Sequence, residues 1–596
     1  MPGVTDPDAA ARRPRRSRTV WLAALAAVLV GLAVLIVPLA VAEIGESTGP
    51  VSEPSHHLAS VFASHAGSRT HRGRARAAAA STLPSATLPS ATLPTATLTV
   101  AANASTVPVP SSFLGISTEY WSLPLFERDT RVFERVLSLL HVAGDGPLIL
   151  RIGGDSADHS FYYKRWRRMP DWVYELTPGY LARLKALVER DRVKLIVDLN
   201  LVTDTPVVAA TWARAAETSL HGSIIGFEIG NEPDLYVRRY WATTISRSPL
   251  ESRFLPLELT PPTYVQDFAA YAQALGENAP DVPLDGPAVA HTRVGMPYIR
   301  ALIQDQRPEL GMVTGHLYPY SACVKNPRSP SYPSVPRILS REAASDFGTH
   351  IASAVATAHA AGLKFRLTEF NSVTCGGKPG VSNTFATALW APDALFNAMR
   401  AGADGANLHV FALAVNAAFA INQAGLEARP LLYGLLMFTR TLGPQAQLVK
   451  VHMTAPRSLN LSAWAVRVKN DILHVLLIDK SSRSVRVDLR LPASAAASIQ
   501  RLLAPSPYSR SGVTLNGQQL NYAGRWTGRP QTRTIPHLAR GYFVTIAGRS
   551  AALVSVRLGA PRRAITRRRA VSKHHGGVAV PKHPVLAVGL DRPRKH

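Results

Sequence analysis

Two glutamates in this 596-residue chain stand where chemistry is easiest to place. One is Glu232, in the stretch FEIGNEPD over 227–234. The other is Glu369, in LTEFNSVTCGG over 367–377. Each comes just as a hydrophobic segment of strand character ends, so each carboxylate is delivered at a strand tip. Two carboxylates facing each other across a sugar ring are what a retaining glycosidase needs, at a carboxyl separation of about 5–5.5 Å. In that scheme Glu369 attacks the anomeric carbon and forms a covalent glycosyl-enzyme. Glu232 protonates the leaving oxygen and then takes a proton from the incoming water. The two roles require opposed pKa shifts. An apolar wall and the second negative charge should raise Glu232, and a cation or hydrogen-bond donors should hold Glu369 ionised. Arg151, at the end of an earlier apolar run, is the natural cation; its other reading is a buried structural arginine. Glu228 reads as structural, with Arg151 as its partner.

These carboxylates need strands to hold them. Alternation along the segment from Ile224 places Glu228, Gly230 and Glu232 on one side, and a break in parity at its end brings Asn231 into the site. On the other segment Phe365, Leu367 and Glu369 share a side. Eight short apolar runs cover 113–118, 148–152, 194–200, 224–229, 282–288, 313–318, 364–370 and 406–411. Stretches with helical periodicity, such as 180–190 and 342–359, separate most of them. Repeated strand-then-helix units over this length predict an α/β fold, a (β/α)8 TIM barrel, whose chemistry sits at the C-terminal ends of its strands. The runs end in Glu119, Asp155, Asn200, Glu232, His316 with Tyr318, Glu369 and His409, a concentration of polar ends that supports this reading.

The chain divides by composition. Residues 1–19 form a basic N-terminus with Arg12, Arg13, Arg15, Arg16 and Arg18, expected to stay cytoplasmic. Residues 20–42 are an uncharged apolar run long enough to span a bilayer. Two readings of it stay open: a retained signal anchor, or a signal peptide cut after Ala40-Val41-Ala42. Either puts the remainder on the extracellular face of the membrane or in the medium. Residues 43–95 are an Ala/Ser/Pro-rich linker with the repeat TLPSA-TLPSA-TLPTA, a composition that buries no core. The barrel is expected over 96–438, with an early strand near Thr97 joining the next domain. Its last helix falls at 431–438. Over 439–558 strand alternation predicts a C-terminal antiparallel β-sandwich, with strands at 448–452, 462–469, 472–478, 484–491 and 542–558. Residues 559–596 are a basic, unstructured tail.

Much of the net charge of +26 lies at the two ends. With no basic helix or aromatic-interleaved basic stripe between them, nucleic-acid binding is not expected. The tail is either merely solvated or holds acidic polymers by charge. The two cysteines, Cys323 and Cys375, exclude a cysteine-rich zinc site. They fall in neighbouring loops at one barrel face and can be bridged if their Cα atoms lie within about 7 Å; otherwise they are free thiols. Nothing completes a metal site around His316 or His409, and no cofactor is expected. Trp121, Trp166 and Trp172 either stack on sugars or fill the core.

At these residues the chain is similar to the retaining (β/α)8 glycosidases that carry Asn-Glu on strand four and a glutamate nucleophile on strand seven. More closely it resembles glycoside hydrolase family 79, the β-glucuronidase and heparanase family. The stretches that carry the resemblance are FLGISTEYW (113–121), LILRIGGDSADHS (148–160), FEIGNEPDLY (227–236), GHLYPYSAC (315–323), LTEFNSVTCGG (367–377) and RPLLYGLLMF (429–438). The resemblance implies Glu232 as acid/base, Glu369 as nucleophile and Asn231 on the sugar 2-hydroxyl. It implies ring-hydroxyl contacts from Glu119 and Asp155, with Tyr318 beside the nucleophile; His316, read from its place at a strand end, is either a substrate-binding, hydrogen-bonding residue or a core histidine. It also implies β-glucuronidase activity on a glycan or glucuronide. Asn416 and Gln423, after strand eight, are candidates for holding the uronic acid. The rival expectations are a retaining β-glycosidase for a neutral sugar and a non-catalytic, membrane-tethered glycan-binding protein.

Overall fold

In the computed structural model of the chain, residues 93–162, 173–236 and 259–559 are described. The apolar run at 20–42, most of the linker, the basic tail, Trp166 and Trp172 lie outside them. Among the described residues no helix is long and apolar enough to cross a membrane.

Eight parallel strands close into a barrel: β1 (Leu114–Glu119), β2 (Ile149–Gly153), β3 (Lys194–Leu199), β4 (Ile224–Ile229), β5 (Leu284–Val289), β6 (Leu310–Leu317), β7 (Lys364–Phe370) and β8 (Gly405–His409). Each pairs with its neighbours in chain order, and β8 pairs with β1. Burial on both faces explains why the runs read as nearly continuous hydrophobic segments. Three of the outer helices, Pro178–Asp191, Pro206–Ser219 and Pro261–Asn278, begin with the same Thr-Pro pair. Thr177, Thr205 and Thr260 each accept from the backbone N–H three residues on. The following proline occupies a position whose N–H would have no helical partner anyway.

The barrel interior is unusual in its polarity. Arg151, Asp198, Glu228, Asp285 and Arg366 are all buried inside a ring of aliphatic strands. Charges at such depth persist only when paired or neutralised. Arg366 is tied to Asn407 Oδ1 at 2.7 Å and to the carbonyls of Ser112 and Phe113. Asp285 has no hydrogen-bond partner for either side-chain oxygen among the described residues. Burial, followed by the charge of Glu228, raises its pKa well above the usual carboxylate range.

Two sheets form the second domain; the larger is antiparallel, whereas the smaller is mixed, because its N-terminal strand runs parallel to Val485–Arg490. One has the order His452–Thr454, Thr95–Thr99, Val485–Arg490, Tyr542–Ile546, so the N-terminal strand lies in its middle. The larger sheet is built around Leu461–Val468, Ile472–Asp479, Ser550–Arg557 and Ala497–Leu503. Four details differ from the sequence expectation. The stretch expected as one strand over 448–452 spans two, Gln447–Val449 in the larger sheet and His452–Thr454 in the smaller. A second early segment, Thr106–Pro108, also joins this domain by pairing with Gln447–Val449. The stretch expected as one strand over 542–558 is two, belonging to different sheets and separated by a turn. The strand Ala497–Leu503 was not expected, because its alternation is interrupted by Gln500 and Arg501.

Helix Phe385–Arg400 is buried nearly all round because it lies between barrel and sandwich. Its Asp393 reaches into the sandwich. There it accepts from Lys480 Nζ at 2.7 Å, Ser462 Oγ at 2.8 Å and Trp464 Nε1 at 2.9 Å. Phe396 stacks on Trp464 at a centroid distance of 5.3 Å. Breaking a buried pair leaves the remaining charge uncompensated, typically at a cost of about 3–5 kcal/mol. Asp393→Ala is therefore expected to lower unfolding stability by about that much. Denaturant unfolding of a preparation spanning both domains checks this; a loss under about 1 kcal/mol would mean that Lys480 finds another partner.

Candidate active site

The site is assembled around Arg151. Its guanidinium donates Nε to Glu228 Oε2 at 2.7 Å, Nη1 to Glu369 Oε2 at 3.0 Å and Nη2 to Asp198 Oδ2 at 2.8 Å. A further Nη2 bond reaches Asn231 Oδ1 at 2.9 Å, and Ser117 Oγ lies 3.4 Å from Nη1. The five donors of an arginine match such a fan of acceptors, which lysine could not. The cation expected beside the nucleophile and the buried structural arginine are thus one residue. Glu228 is, as expected, its partner, and Thr368 Oγ1 donates to the other oxygen of Glu228 at 2.8 Å.

Local backbone irregularities decide which side chains reach the mouth. Gly153, at φ +151°, ends β2, and a Cβ there would meet Asp198 Cβ at 2.1 Å. At Gly154 a Cβ would meet Glu119 Oε1 at 2.5 Å. The glycine pair therefore lets acids from β1 and β3 close over the strand end. On β4, Gly230 and Glu232 both have positive φ, +77° and +51°. Strict alternation fails there, and Asn231 and Glu232 both face the site, as the expected break in parity requires. The Glu232 N–H is pinned to Ala288 O at 3.0 Å. On β7 simple alternation is corrected by the structure. Thr368 points at Glu228, yet the adjacent Glu369 also enters the site. The register with β6 slips between Gly315 and His316, so that His316 pairs with Glu369. Such a bulge re-aims one side chain at a strand end.

Glu369 is held from three sides. Besides Arg151, Tyr318 donates its hydroxyl to Oε1 at 2.5 Å, and His409 Nδ1 lies 3.4 Å from Oε2. Burial alone would raise its pKa, but His409, His316, Arg151 and the Tyr318 hydroxyl outweigh it and bring the carboxyl to about 2. Glu232 has the opposite balance. Burial raises its pKa well above the usual range, and the charges of Glu369, Asp155 and Asp234 add to that. Its Oε1 lies 2.9 Å from His316 Nδ1. His316 is buried, which lowers its pKa to about 4, so it is a neutral imidazole near neutral pH. One oxygen each of Glu232 and Glu369 and one nitrogen of His316 lie within 4.8 Å of one another. The three could approach a metal ion, but both oxygens of Glu369 are already engaged by Arg151 and Tyr318. A cation would meet the guanidinium charge there.

The other expected residues fall into two groups. Glu119, Asp155 and Asn231 join the site. Asn231 Nδ2 donates to Asp155 Oδ1 at 3.0 Å, and Glu119 lies 3.4 Å from His409 Nε2. His409 therefore bridges Glu119 and Glu369. Burial opposes its charge, but those two acids raise its pKa. Asn200 instead bonds Ser160 O and Thr203 within a loop. Asn416 is buried and donates to Val373 O at 2.7 Å, and Gln423 is exposed in the turn of a small hairpin. Cys323 and Cys375 are joined as a disulfide, their Cα atoms 6.0 Å apart, tying the loop after β6 to the loop after β7. Sequence reasoning missed Asp198, Thr368 and Ser117. The signal for Asp198 was present: an acid inside the apolar run KLIVDLN.

No protein-family model matches the chain, and no curated protein is similar to it in sequence. Its fold is similar to several solved structures. A 4-O-α-L-rhamnosyl-β-D-glucuronidase from Fusarium oxysporum 12S superposes with a TM-score of 0.62 at 16% identity, over 77% of this chain and 100% of that one. AbfB, a family 51 α-L-arabinofuranosidase from Bifidobacterium longum, gives 0.55 at 15% identity, over 78% and 100%. The family 44 endoglucanase Cel44A from Clostridium thermocellum gives 0.51 at 12% identity, over 78% and 100%. At these identities the likeness carries the barrel-and-sandwich fold alone.

Two measurements probe the site's electrostatics. In Glu369→Gln the nearest negative charge is gone, so Glu232 should titrate lower than in the wild type while burial keeps it above ordinary glutamate. Carbon-detected NMR titration of labelled carboxyls reads this directly, and an unmoved Glu232 would show that the pair is not coupled. Arg151→Met leaves three buried acids without their cation. An unfolding-stability loss of about 3–5 kcal/mol or more is expected in denaturant melts.

Proposed function

We propose that the chain is a retaining glycoside hydrolase that cleaves β-linked glucuronides by double displacement. One observation carries the mechanism: carboxylate oxygens of Glu232 and Glu369 lie within 4.8 Å, with their pKa values displaced in opposite directions. Inverting enzymes separate their carboxyl groups by about 6.5–9.5 Å to admit a water between them.

Glu369, ionised and held by Arg151 and Tyr318, attacks the anomeric carbon. Glu232 is protonated at rest and gives its proton to the glycosidic oxygen as the C–O bond breaks. His316 keeps the other Glu232 oxygen in place. As Glu369 becomes an ester its charge disappears, and the raised pKa of Glu232 falls. The same group is then a competent base for the water that releases the sugar. Asn231, fixed by Arg151 and Asp155, is placed for the 2-hydroxyl, and Glu119 and Asp155 for ring hydroxyls.

The glucuronide preference rests on the resemblance to glycoside hydrolase family 79, and the fold likeness to a β-D-glucuronidase supports it. A second reading, a retaining β-glycosidase for a neutral sugar, is favoured by one observation. Arg151 is already shared by three carboxylates, and the mouth bears the acids Glu119 and Asp155. Placement outside the cell is proposed from the arginine-flanked apolar run at 20–42.

The test is hydrolysis of 4-nitrophenyl β-D-glucuronide by a chain starting near Thr95, beside Glu369→Ala and Glu232→Ala. Glu369→Ala should be inactive and rescued by azide to a glycosyl azide of inverted configuration. Glu232→Ala should lose about 10²–10⁴ in rate on poor leaving groups. Activity on a glucoside but not the glucuronide would overturn the sugar assignment and keep the mechanism. The pH profile has a defined sign. Ionised Glu369 is lost only as pH falls through about 2. Protonated Glu232 is lost as pH rises through its raised pKa. Activity should therefore extend far into acid, with a basic limb that moves when Glu232 is substituted.

A further inference from the structure

Beyond the acids that face the cleaved sugar, the mouth carries an apolar corner that the mechanism does not use. Along the chain leaving β1, Glu119 enters the site, Tyr120 is buried outward against Trp212 and Tyr180, and Trp121 returns to the mouth side, half-exposed. Leaving β8 the pattern repeats: His409 in the site, Val410 buried, Phe411 half-exposed. Trp121 and Phe411 meet edge to face at 6.0 Å, and the Phe411 ring lies 5.3 Å from that of His409. Two residues on, Leu413 is 76% exposed and held at φ +74°. A bulky residue in that conformation costs energy and is worth a functional explanation. The opposite wall of the corner is glycine: a Cβ at Gly376 would lie 3.6 Å from Phe411 Cζ.

We infer that Trp121 and Phe411 form a stacking subsite for a second sugar, on the non-reducing side of the residue that is cleaved. This rests on the hydrolase reading above. The direction follows from the barrel. Glu232 must reach the leaving oxygen, so the leaving group lies toward β4. In a closed barrel of eight strands β8 is four strands from β4, and β1 stands next to β8. The corner is therefore across the mouth from the leaving group. Its depth follows from the ring contacts: Phe411 lies 5.3 Å from His409, which faces the first sugar's position, and Trp121 a further 6.0 Å from Phe411. Pyranose rings present an apolar C–H face, and an aromatic ring with a large buried body and a free face suits it. The enzyme would then favour substrates whose glycone is at least a disaccharide.

The experiment compares kcat/KM for 4-nitrophenyl β-D-glucuronide with kcat/KM for the same glucuronide bearing one β-D-glucose on O4. The wild type should favour the longer glycone by tenfold or more. Trp121→Ala should reduce that ratio about tenfold, Trp121→Phe should retain most of it, and Phe411→Ala gives an independent second reading. Turnover of the short substrate with no gain from the second sugar, or an unchanged ratio in both alanine variants, overturns the subsite and leaves the hydrolase reading standing. If neither glucuronide reacts, the same ratio is read on 4-nitrophenyl β-glucoside and β-cellobioside. No turnover of any of the four overturns the hydrolase reading, and the subsite with it.

Discussion

One guanidinium inside a hydrophobic barrel organises this molecule. Arg151 is fully buried and faces three carboxylates from three other strands, β3, β4 and β7. Taking a lone charge to such a place would cost many kcal/mol, so the arrangement stands only because each charge is answered by another. The excess of acids over cations sets the electrostatics of the site. With Arg151 committed to Glu369, Asp198 and Glu228, the remaining acid on β4, Glu232, has no cation of its own. Its low-energy form is the neutral one. A single distribution of charge thus favours the ionised form of one glutamate and the neutral form of the other, with one oxygen of each within 4.8 Å.

Geometry enforces that distribution. Asn231 is locked between Arg151 and Asp155, Tyr318 and His409 close on Glu369, and His316 holds Glu232 without contributing a charge. These side chains come from the ends of β2, β4, β6, β7 and β8, so their mutual positions are the positions of the barrel strands. The disulfide ties the loop that follows Tyr318 to the loop that follows Glu369. The sandwich supports the outside of the same region through Asp393, on the helix that connects β7 to β8. Rigidity of this kind fixes the separation of Glu232 and Glu369.

The strands were legible because burial on both faces leaves an unmistakable hydrophobic run, and seven of the eight begin within two residues of where the pattern placed them. The sixth was placed three residues late, since Leu310–Met312 is diluted by a glycine. In the second domain one long expected strand proved to be two, and Ala497–Leu503 went unseen. Strands with one face toward solvent carry a weaker and more easily interrupted signal.

What the sequence by itself determined is the order of elements and the placing of acids at strand ends, because hydrophobic period and strand length are local properties of the chain. It also held the resemblance at Glu232 and Glu369. What only the tertiary structure decided is everything that depends on residues far apart in sequence. Glu369 faces the site because a register slip against β6 re-aims it, which alternation along β7 alone would not show. Asp198 shares the arginine because Gly153, at the end of β2, leaves room for its side chain. Trp121 and Phe411, separated by almost the whole barrel in sequence, meet because β1 and β8 close the ring. Protonation states belong to this second class as well, since they are sums of charge and burial over partners that only folding brings together.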